Sequence, residues 1–379
     1  MKIKTAFSIS MPQFTKSTFG PIVLLASALL AVACDTQREN DELEPDPGTQ
    51  LALDVVLTNI ADTQILPGFE FFKSESQTLN NQAQIFCNNI NTANLSALQA
   101  QWKTLSSQWN RIVIYNFGPL NDDVISPSIH FIESMRANGQ DHTNDVRIEL
   151  ANALGGAFVL DESYFDSLLF SETGILALEV LIYESSIGTH STLPGDIVTD
   201  YQSNPRKCEY LLGMGQLLFR HADEIYSAWS NNYHGSGQSY RDIFIKSEKL
   251  ADDSTPAVAL ITAIQQHLDY LNTRKLLMVH DAEIADYFFE NIQATLDEIE
   301  NLLEGQGSGT YSVFDHMING GFGEEVAVVR RNLASAQQAA ETGDESTLDT
   351  YAGYLDGNFK DEISTGLDVN LGLNFSDGD

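Results

Sequence analysis

The chain has 379 residues, of which 53 are acidic and 20 are basic, so its formal net charge at pH 7 is −33. A surface this acidic repels phosphate backbones and anionic lipid headgroups, which excludes nucleic acid as a partner and an electrostatic membrane anchor. The same acidity is compatible with cation binding, or it serves solubility alone.

The N-terminal 33 residues have the composition of an export signal. They carry three lysines and no acidic residue, and the apolar run over 21–32 is too short to span a bilayer. Residues 30–34 end in small side chains followed directly by a cysteine, which is the pattern of a bacterial lipobox. We therefore predict a signal peptide over 1–33 and lipid attachment at Cys34. The alternative is a plain cleaved signal in which Cys34 is incidental.

Residues 34–50 are polar and acidic and contain two prolines, a composition typical of a flexible tether. With a lipid on Cys34, this tether would hold the rest of the chain at the cell envelope, facing the periplasm, with the membrane as its partner. Whether the inner or the outer membrane carries the anchor stays open. No later run of the sequence is long and apolar enough for a transmembrane helix.

Two cysteines remain beyond the tether, Cys87 and Cys208. In an exported protein, two leftover cysteines most simply form one disulfide. A thiol metal site would need further ligands and a reducing compartment. We predict the disulfide, which in the chain-entropy model stabilises the fold by about 4–5 kcal/mol.

Four stripes of apolar residues, mostly three or four positions apart, predict long amphipathic helices. The stripes are Leu95, Leu98, Trp102, Leu105, Trp109 and Ile112; Leu211, Met214, Leu218, His221 and Ile225; Ile284, Phe288, Ile292, Ile299 and Leu303; and Leu348, Tyr351, Leu355, Phe359, Ile363 and Leu367. Asn204 and Pro205 are typical of the N-cap and first position of the second helix. Ser346, with Asp349 three residues later, is typical of the start of the fourth.

No strand-like alternation competes with these stripes, so we predict an all-α fold of two helical-bundle domains built from long antiparallel helices. Irregular segments are expected at 117–128 and at about 185–203, with glycine-rich breaks at 305–309 and 320–323. A weak change of composition places the domain boundary between 231 and 255. We therefore predict an N-terminal domain over 51–240 and a C-terminal domain over 241–379.

The spacing His-x-x-Glu puts both side chains on one helix face, as a metal site requires. It occurs at His130/Glu133, His221/Glu224 and His280/Glu283. Acidic helices also produce such pairs by chance. His221 in addition lies on an apolar stripe, where a hydrogen-bonded core histidine is expected.

Two further segments carry carboxylates in unusual places. The turn over 118–123 follows the first helix, and its Asp122 and Asp123 either cap a helix, point into a cleft or form an ordinary acidic turn. Glu179 lies in the otherwise apolar segment 174–183. A buried carboxylate is costly unless it is paired or liganded. Glu179 is therefore either half of an ion pair, with Arg111 as the candidate partner, or a ligand-binding residue.

From about residue 51 to its end, the chain resembles the imelysin-like family, whose members are exported all-helical proteins. The resemblance rests on residues 65–69 with Pro67, 109–111 with 117–119, 174–179 with Tyr183, 206–211, and 371–379. It implies two helical-bundle domains with a site near their interface. The family's namesake is described as an insulin-cleaving membrane peptidase, and several members are tied to iron uptake.

One position departs from the family. The family motif is Gly-x-His-x-x-Glu, with the histidine and glutamate as the proposed metal-binding or catalytic pair. Here Gly174 and Glu179 are present, but Leu176 stands where the family has histidine. A leucine neither binds a metal nor transfers a proton, so we expect no catalytic residue of the family's type in this motif. The candidates for the ligand site are Arg111, Gly118, Pro119, Asp122, Asp123, Gly174, Glu179 and Tyr183, with Glu179 as the candidate metal ligand.

Three functions compete. The first is a membrane-anchored, non-catalytic binding protein linked to uptake of iron or another divalent metal, with a metal ion or small molecule as its ligand. The second is a metallopeptidase, which would need another histidine, such as His130 or His280, to replace the missing ligand. The third is a helical scaffold that docks an envelope partner.

Overall fold

The computed structural model describes residues 47–122, 127–136, 140–186, 188–276, 282–307 and 309–371, with the backbone alone at 47–51, 274 and 275. The predicted signal peptide, Cys34 and most of the tether lie outside the described residues, as do Asp123 and His280. Within the described part the secondary structure is helical, without a β-strand, which confirms the all-α prediction. None of its helices is both long and apolar enough to cross a membrane.

The α-helices follow one another along the whole described chain. They are α1 (Pro47–Ile60), α2 (Leu66–Asn88), α3 (Thr92–Ile112), α4 (Ser128–Ile132), α5 (Thr143–Gly155), α6 (Glu162–Asp166), α7 (Gly174–Tyr183), α8 (Pro194–Ser203), α9 (Arg206–Ser230), α10 (Tyr240–Lys246), α11 (Pro256–Tyr270), α12 (Phe288–Glu304), α13 (Val313–Asn319), α14 (Gly323–Thr342), α15 (Glu345–Asn358) and α16 (Ser364–Gly366). π-helical turns at Ala61–Ile65 and Phe359–Ile363 join α1 to α2 and α15 to α16 without a break, and a third at Leu271–Lys275 extends α11.

Helix α3 shows how the sequence forms these elements. Asn91 caps it, accepting a hydrogen bond from the amide of Asn94 at 2.9 Å, which satisfies one of the unpaired first-turn donors. All six residues of its predicted stripe are buried. The stripe lets α3 pack against other helices. Its contacts with α2, α7 and α12 link the N-terminal helices to the C-terminal ones. The division into two domains at 231–255 stays a prediction.

The longest helices, α2 and α9, pack along each other and are joined covalently. The Cys87–Cys208 disulfide, with 5.7 Å between its Cα atoms, ties the end of α2 to the start of α9 and confirms the predicted pairing. In the C-terminal half, α14 packs against both α12 and α15, and α15 packs against α11. The glycine-rich breaks are confirmed, because α12 ends at Glu304 and α14 begins at Gly323.

Several predicted boundaries were wrong, each for a local reason. Helix α9 begins at Arg206, so its N-cap is Pro205 rather than the predicted Asn204. Pro205 has helical dihedral angles and makes no side-chain cap. The N-cap of α15 is Asp344 rather than Ser346, because the Asp344 carboxylate accepts from the amide of Thr347. Residues 194–203, expected to be irregular, form α8, which starts with Pro194 at a position that needs no amide hydrogen.

The third stripe also starts later than predicted. Ile284 lies in a turn, and α12 begins only at Phe288. Ala282 and Asp286 in this turn adopt left-handed backbone angles, which interrupt a helix. The turn is consequently free to pass over α7, where it meets the predicted site.

Candidate functional site

Glu179 is the buried carboxylate of α7, with 2% of its surface exposed. The surrounding residues of α7 are apolar and buried, so the carboxylate depends on polar partners for its stability. Its Oε1 accepts a hydrogen bond from the backbone N–H of Ala285 at 2.8 Å. Ala285 belongs to the turn before α12. Glu179 therefore connects α7 to the C-terminal half of the chain.

Gly174, at the start of α7, has a structural reason to be glycine. Its φ is +80°, and a Cβ atom there would lie 2.3 Å from the carbonyl oxygen of Ile132. The neighbouring Thr173 hydroxyl donates to the carbonyl of Phe131 at 3.2 Å. The glycine thus lets the start of α7 touch the end of α4. That close approach brings Glu133, the residue after α4, into the region of Glu179.

Glu133 is also buried, with 6% of its surface exposed. Its Oε2 accepts a hydrogen bond from the indole N–H of Trp109 at 2.9 Å. Trp109 lies on the buried stripe of α3, so α3 fixes the orientation of this carboxylate. His130, its predicted partner, packs against the ring of Phe170 instead. Burial, together with the charge of Arg136, lowers the pKa of His130, while Glu133 opposes that shift.

The two carboxylates line one cavity of about 50 Å³. Because a single water needs roughly 10–15 Å³ on this measure, the cavity has room for a small ion with several waters. Two indoles, Trp102 and Trp109, form part of its wall, and so does Leu176. The position where the family carries histidine therefore faces the same space as Glu179.

Two other residues of the cavity wall, Ser134 and Asn291, each carry a buried side-chain oxygen. The buried Ser134 Oγ and Asn291 Oδ1 have no hydrogen-bond partner among the described residues, although both residues line the cavity. The Asn291 Nδ2 donates to Ser106 Oγ at 2.9 Å, which directs its oxygen to the other side of the amide group. A bound water or ion can satisfy such buried polar atoms. Ser134 and Asn291 lie in the same cavity wall as the two buried carboxylates.

This donor set suits one class of metal. Hard divalent cations take carboxylate, amide, hydroxyl and water oxygens, and often keep several waters. Zinc or a soft metal prefers histidine or cysteine. No group of three or more His, Cys, Asp and Glu side chains within the described residues is arranged to hold a metal. The oxygens present thus fit a partly hydrated hard cation rather than a closed metal site.

Arg111 is not the partner of Glu179, so that prediction was wrong. Its guanidinium forms ion pairs with Asp297 at 3.2 Å and with Glu298 at 3.9 Å, both on α12. Arg111 and the α12 carboxylates help to join α3 to α12. Nearby, Tyr115 donates to Glu298 at 2.7 Å, and burial raises the pKa of both groups.

The acidic turn after α3 lies away from the cavity of Glu179. Gly118, with φ +55°, approaches the ring of Tyr240 so closely that a Cβ would lie 2.2 Å from it. Pro119 is buried beside it, and Asp122 pairs with the exposed His234 at 2.9 Å. None of these three residues lines the cavity of Glu179. Gly118 and Pro119 support the packing of the chain against α9 and α10.

Tyr183 and the other histidine pairs do not join the site either. The Tyr183 hydroxyl donates to the carbonyl of Gln99 at 2.9 Å, which fixes the end of α7 to α3. His221 stacks on Phe131, and its buried Nε2 has no hydrogen-bond partner among the described residues, so it is a core histidine without the expected bond. Glu283 lines the cavity and is exposed. Its predicted partner, His280, lies outside the described residues.

A buried ion network beyond α7 was missed in the sequence. Lys207 is fully buried and donates to Asp200 at 2.6 Å and to the carbonyl of Glu184 at 3.0 Å. Burial lowers the pKa of Lys207, and the neighbouring carboxylates oppose that shift. The Glu184 carboxylate in turn accepts a two-point contact from Arg147. The spacing of Asp200 and Lys207, two helical turns apart across a helix break, gave no sign of this contact.

Comparisons with known proteins agree with the fold. The model of the imelysin family (Peptidase_M75) matches residues 65–362, more than half of the chain. No curated protein sequence matches the chain. An imelysin-like protein from Psychrobacter arcticum 273-4 has a similar structure, with a TM-score of 0.62 and 17% identity, covering 85% of this chain and 98% of its own.

A second solved structure has a comparable fold. It is described as a "putative iron-regulated protein A precursor" from Parabacteroides distasonis ATCC 8503, with a TM-score of 0.58 and 12% identity, covering 86% of this chain and 97% of its own. At these identities the structures establish the fold alone. Together with the family match over 65–362, they show that this chain belongs to the imelysin family.

Proposed function

We propose that this protein is a lipid-anchored, non-catalytic binding protein of the cell envelope that takes a hard divalent cation and serves uptake of iron or a similar metal. The observation that carries the proposal is the cavity at α7. It combines the buried carboxylates of Glu133 and Glu179 with the oxygens of Ser134 and Asn291, for which the described part of the chain supplies no hydrogen-bond partner. Carboxylate, hydroxyl and amide oxygens in one enclosed space are the ligands that a hard divalent cation prefers.

The envelope location rests on other features. The lipobox pattern before Cys34 supports export and a lipid anchor in the membrane. The Cys87–Cys208 disulfide is typical of an oxidising compartment outside the cytoplasm. Replacing Cys34 by alanine should move the protein from the membrane fraction to the soluble fraction. Unchanged membrane association of that variant would contradict lipid anchoring.

The non-catalytic role rests on Leu176. A peptidase of this family would need the motif histidine to hold a metal or move a proton, and Leu176 does neither. No histidine is among the described residues that line the cavity. Binding of a cation needs only the oxygens that are present. We therefore expect no peptidase activity from this site.

Thermal unfolding in the presence of cations tests the proposal. A ligand at 100 times its Kd stabilises a protein by about 2.7 kcal/mol, so millimolar MnCl2, CaCl2 or FeCl2 should raise the melting temperature. The variant Glu179→Gln should lose most of that rise. Glu248→Gln, which changes an exposed carboxylate by the same atoms, should keep it. Equal rises in wild type and Glu179→Gln, or no rise with any cation, would contradict the proposal.

Restoring the family's histidine gives a second test. Leu176→His places an imidazole in the cavity that holds the two buried carboxylates, and imidazole favours Zn²⁺. Calorimetric titration should show at least tenfold tighter Zn²⁺ binding than in wild type. The control is Leu169→His, which adds a histidine at an exposed position outside the cavity. If both variants bind Zn²⁺ equally, position 176 does not face the cation.

A further inference from the structure

A second cleft lies between α5, the end of α7 and the end of α8. It has a volume of about 450 Å³ and is separate in its lining residues from the cavity of Glu179. Arg147, Leu150 and Leu154 of α5 lie three and four residues apart, so all three face it from one side of the helix. Leu150 and Val180 are buried and form the apolar wall.

The polar wall is held in place by the ion network behind it. Lys207 neutralises Asp200, and the Ser186 amide and hydroxyl donate to the same carboxylate at 2.6 and 2.8 Å. Asp200 is thereby fully occupied. Glu184 is occupied as well, because it receives the Nε and Nη2 hydrogens of Arg147. The network therefore presents no carboxylate that needs a cation.

Arg147 retains donors that the network does not use. Its contacts with Glu184 involve Nε and Nη2, and its Nη1 has no acceptor among the described residues. The planar guanidinium is fixed by the two-point contact, so the direction of its remaining hydrogens is fixed too. The side chain is about a quarter exposed, at 27%, which keeps it accessible from the cleft.

His190 stands at the same cleft in an unusual backbone conformation. Its φ is +55°, a left-handed value that costs energy for any residue with a Cβ. Its Nδ1 lies 3.8 Å from Glu184 Oε2, and its side chain is 41% exposed. Such strain is concentrated at binding sites. The strained turn sets the imidazole beside the guanidinium of Arg147, where both contact the same carboxylate.

We propose that this cleft binds small organic carboxylates, with the carboxylate at Arg147 and His190 and an apolar tail against Leu150, Leu154 and Val180. A guanidinium matches a carboxylate better than it matches a compact anion, because both groups are planar and form parallel hydrogen bonds. The apolar wall favours an alkyl or aryl tail over a purely polar anion. The site is independent of the proposed cation cavity.

Calorimetric titration of the protein without its signal peptide with hexanoate tests this assignment. Hexanoate should bind, whereas hexylamine, which has the same tail and the opposite charge, should not. Arg147→Gln should weaken hexanoate binding at least tenfold. His190→Asn should weaken it several-fold, and asparagine tolerates the left-handed backbone, so this variant retains the turn. Glu179→Gln should bind hexanoate as wild type does, which separates this site from the cation cavity.

Three results would overturn the assignment: no binding of hexanoate to the wild-type protein, equal binding of hexylamine, or wild-type affinity in a folded Arg147→Gln variant. If Arg147→Gln does not fold because Glu184 is left unpaired, the His190→Asn titration and the hexylamine comparison decide the question. Wild-type hexanoate affinity in His190→Asn would then count against the site.

Discussion

The hydrogen bond from Trp109 to Glu133 is the residue-scale contact on which the cavity depends. A hydrogen bond to a buried charged group contributes about 1.5–3 kcal/mol. Trp109→Phe keeps most of the ring packing and removes the N–H donor, so we expect the free energy of unfolding to fall by about 2–4 kcal/mol, including the smaller ring. Urea denaturation followed by circular dichroism measures this loss.

Trp229→Phe is the matched control for that substitution. Trp229 is equally buried, but its Nε1 has no hydrogen-bond partner among the described residues. The same exchange there removes an unsatisfied donor, so it should destabilise the protein less than Trp109→Phe does. Equal losses in the two variants would show that the Trp109–Glu133 bond contributes little.

Predictions about single residues succeeded where the neighbouring residues of the same helix determine the environment. Glu179 was singled out because one carboxylate in an apolar helix is unusual, and it does line the cavity. Arg111 was assigned to the wrong carboxylate, because the face of α3 on which a partner lies depends on how α12 packs. Ser134 and Asn291 could not be found, since nothing local distinguishes an ordinary serine or asparagine whose oxygen lacks a partner only after folding.

At the scale of elements, the junction of α4 and α7 is the contact that forms the site. Gly174→Ala would introduce both an unfavourable φ and a Cβ 2.3 Å from the Ile132 carbonyl. We expect a loss of about 3 kcal/mol or more in the free energy of unfolding and a weaker response to cations, because α4 must move away.

Gly188→Ala is the matched control for Gly174→Ala. Gly188 has a similar φ of +74°, but no atom of the described residues beyond its chain neighbours lies within 4 Å of a Cβ added there. Gly188→Ala should therefore lower the free energy of unfolding only through its unfavourable φ, by about 1–2 kcal/mol. If the two variants lose the same stability and respond equally to cations, the close approach at Gly174 does not shape the cavity.

Helices were predicted more reliably than their ends. The stripes of α3, α9, α12 and α15 depend on a periodicity within one segment, and each corresponds to a helix. The start of α12 was predicted four residues too early, because Ile284 continues the spacing although the backbone at Asp286 is left-handed. Helix α8 was missed since it is short and its apolar residues form too brief a pattern.

At the scale of the whole molecule, histidines that are buried or partly buried make stability depend on pH. Burial is the main cause that lowers the pKa of His130, His221 and His316 in the folded protein. Below about pH 6.5 the unfolded chain therefore binds protons that the folded protein does not, so the free energy of unfolding falls as the pH falls. Each histidine contributes at most about 1.4 kcal/mol per pH unit.

His221→Gln isolates one of these contributions. His221 stacks on Phe131, with Arg220 and Asp166 as the charged groups that act on it. Arg220 lowers its pKa and Asp166 raises it. Between pH 7.5 and 5.5, urea denaturation should show a smaller loss of stability in the variant than in wild type. Identical pH dependence in the two proteins would show that folding does not lower the pKa of His221.

The family and the all-helical fold were predictable from the sequence because they rest on many residues spread over the chain. The position of the site depends instead on α3, α4, α7, α12 and the turn before α12, which are distant in the sequence and meet only in the folded chain. For the same reason, the sequence did not predict the cleft at Arg147. Its network joins α5, α7, α8 and α9 through side chains whose spacing has no pattern.

The central claim is that the cavity of Glu133 and Glu179 binds a hard cation, and crystals soaked in MnCl2 test it most directly. An anomalous difference map should show a peak within about 2.6 Å of a carboxylate oxygen of Glu133 or Glu179, and no such peak in crystals of Glu179→Gln. Peaks confined to exposed acidic residues, or the same cavity peak in the variant, would contradict the claim.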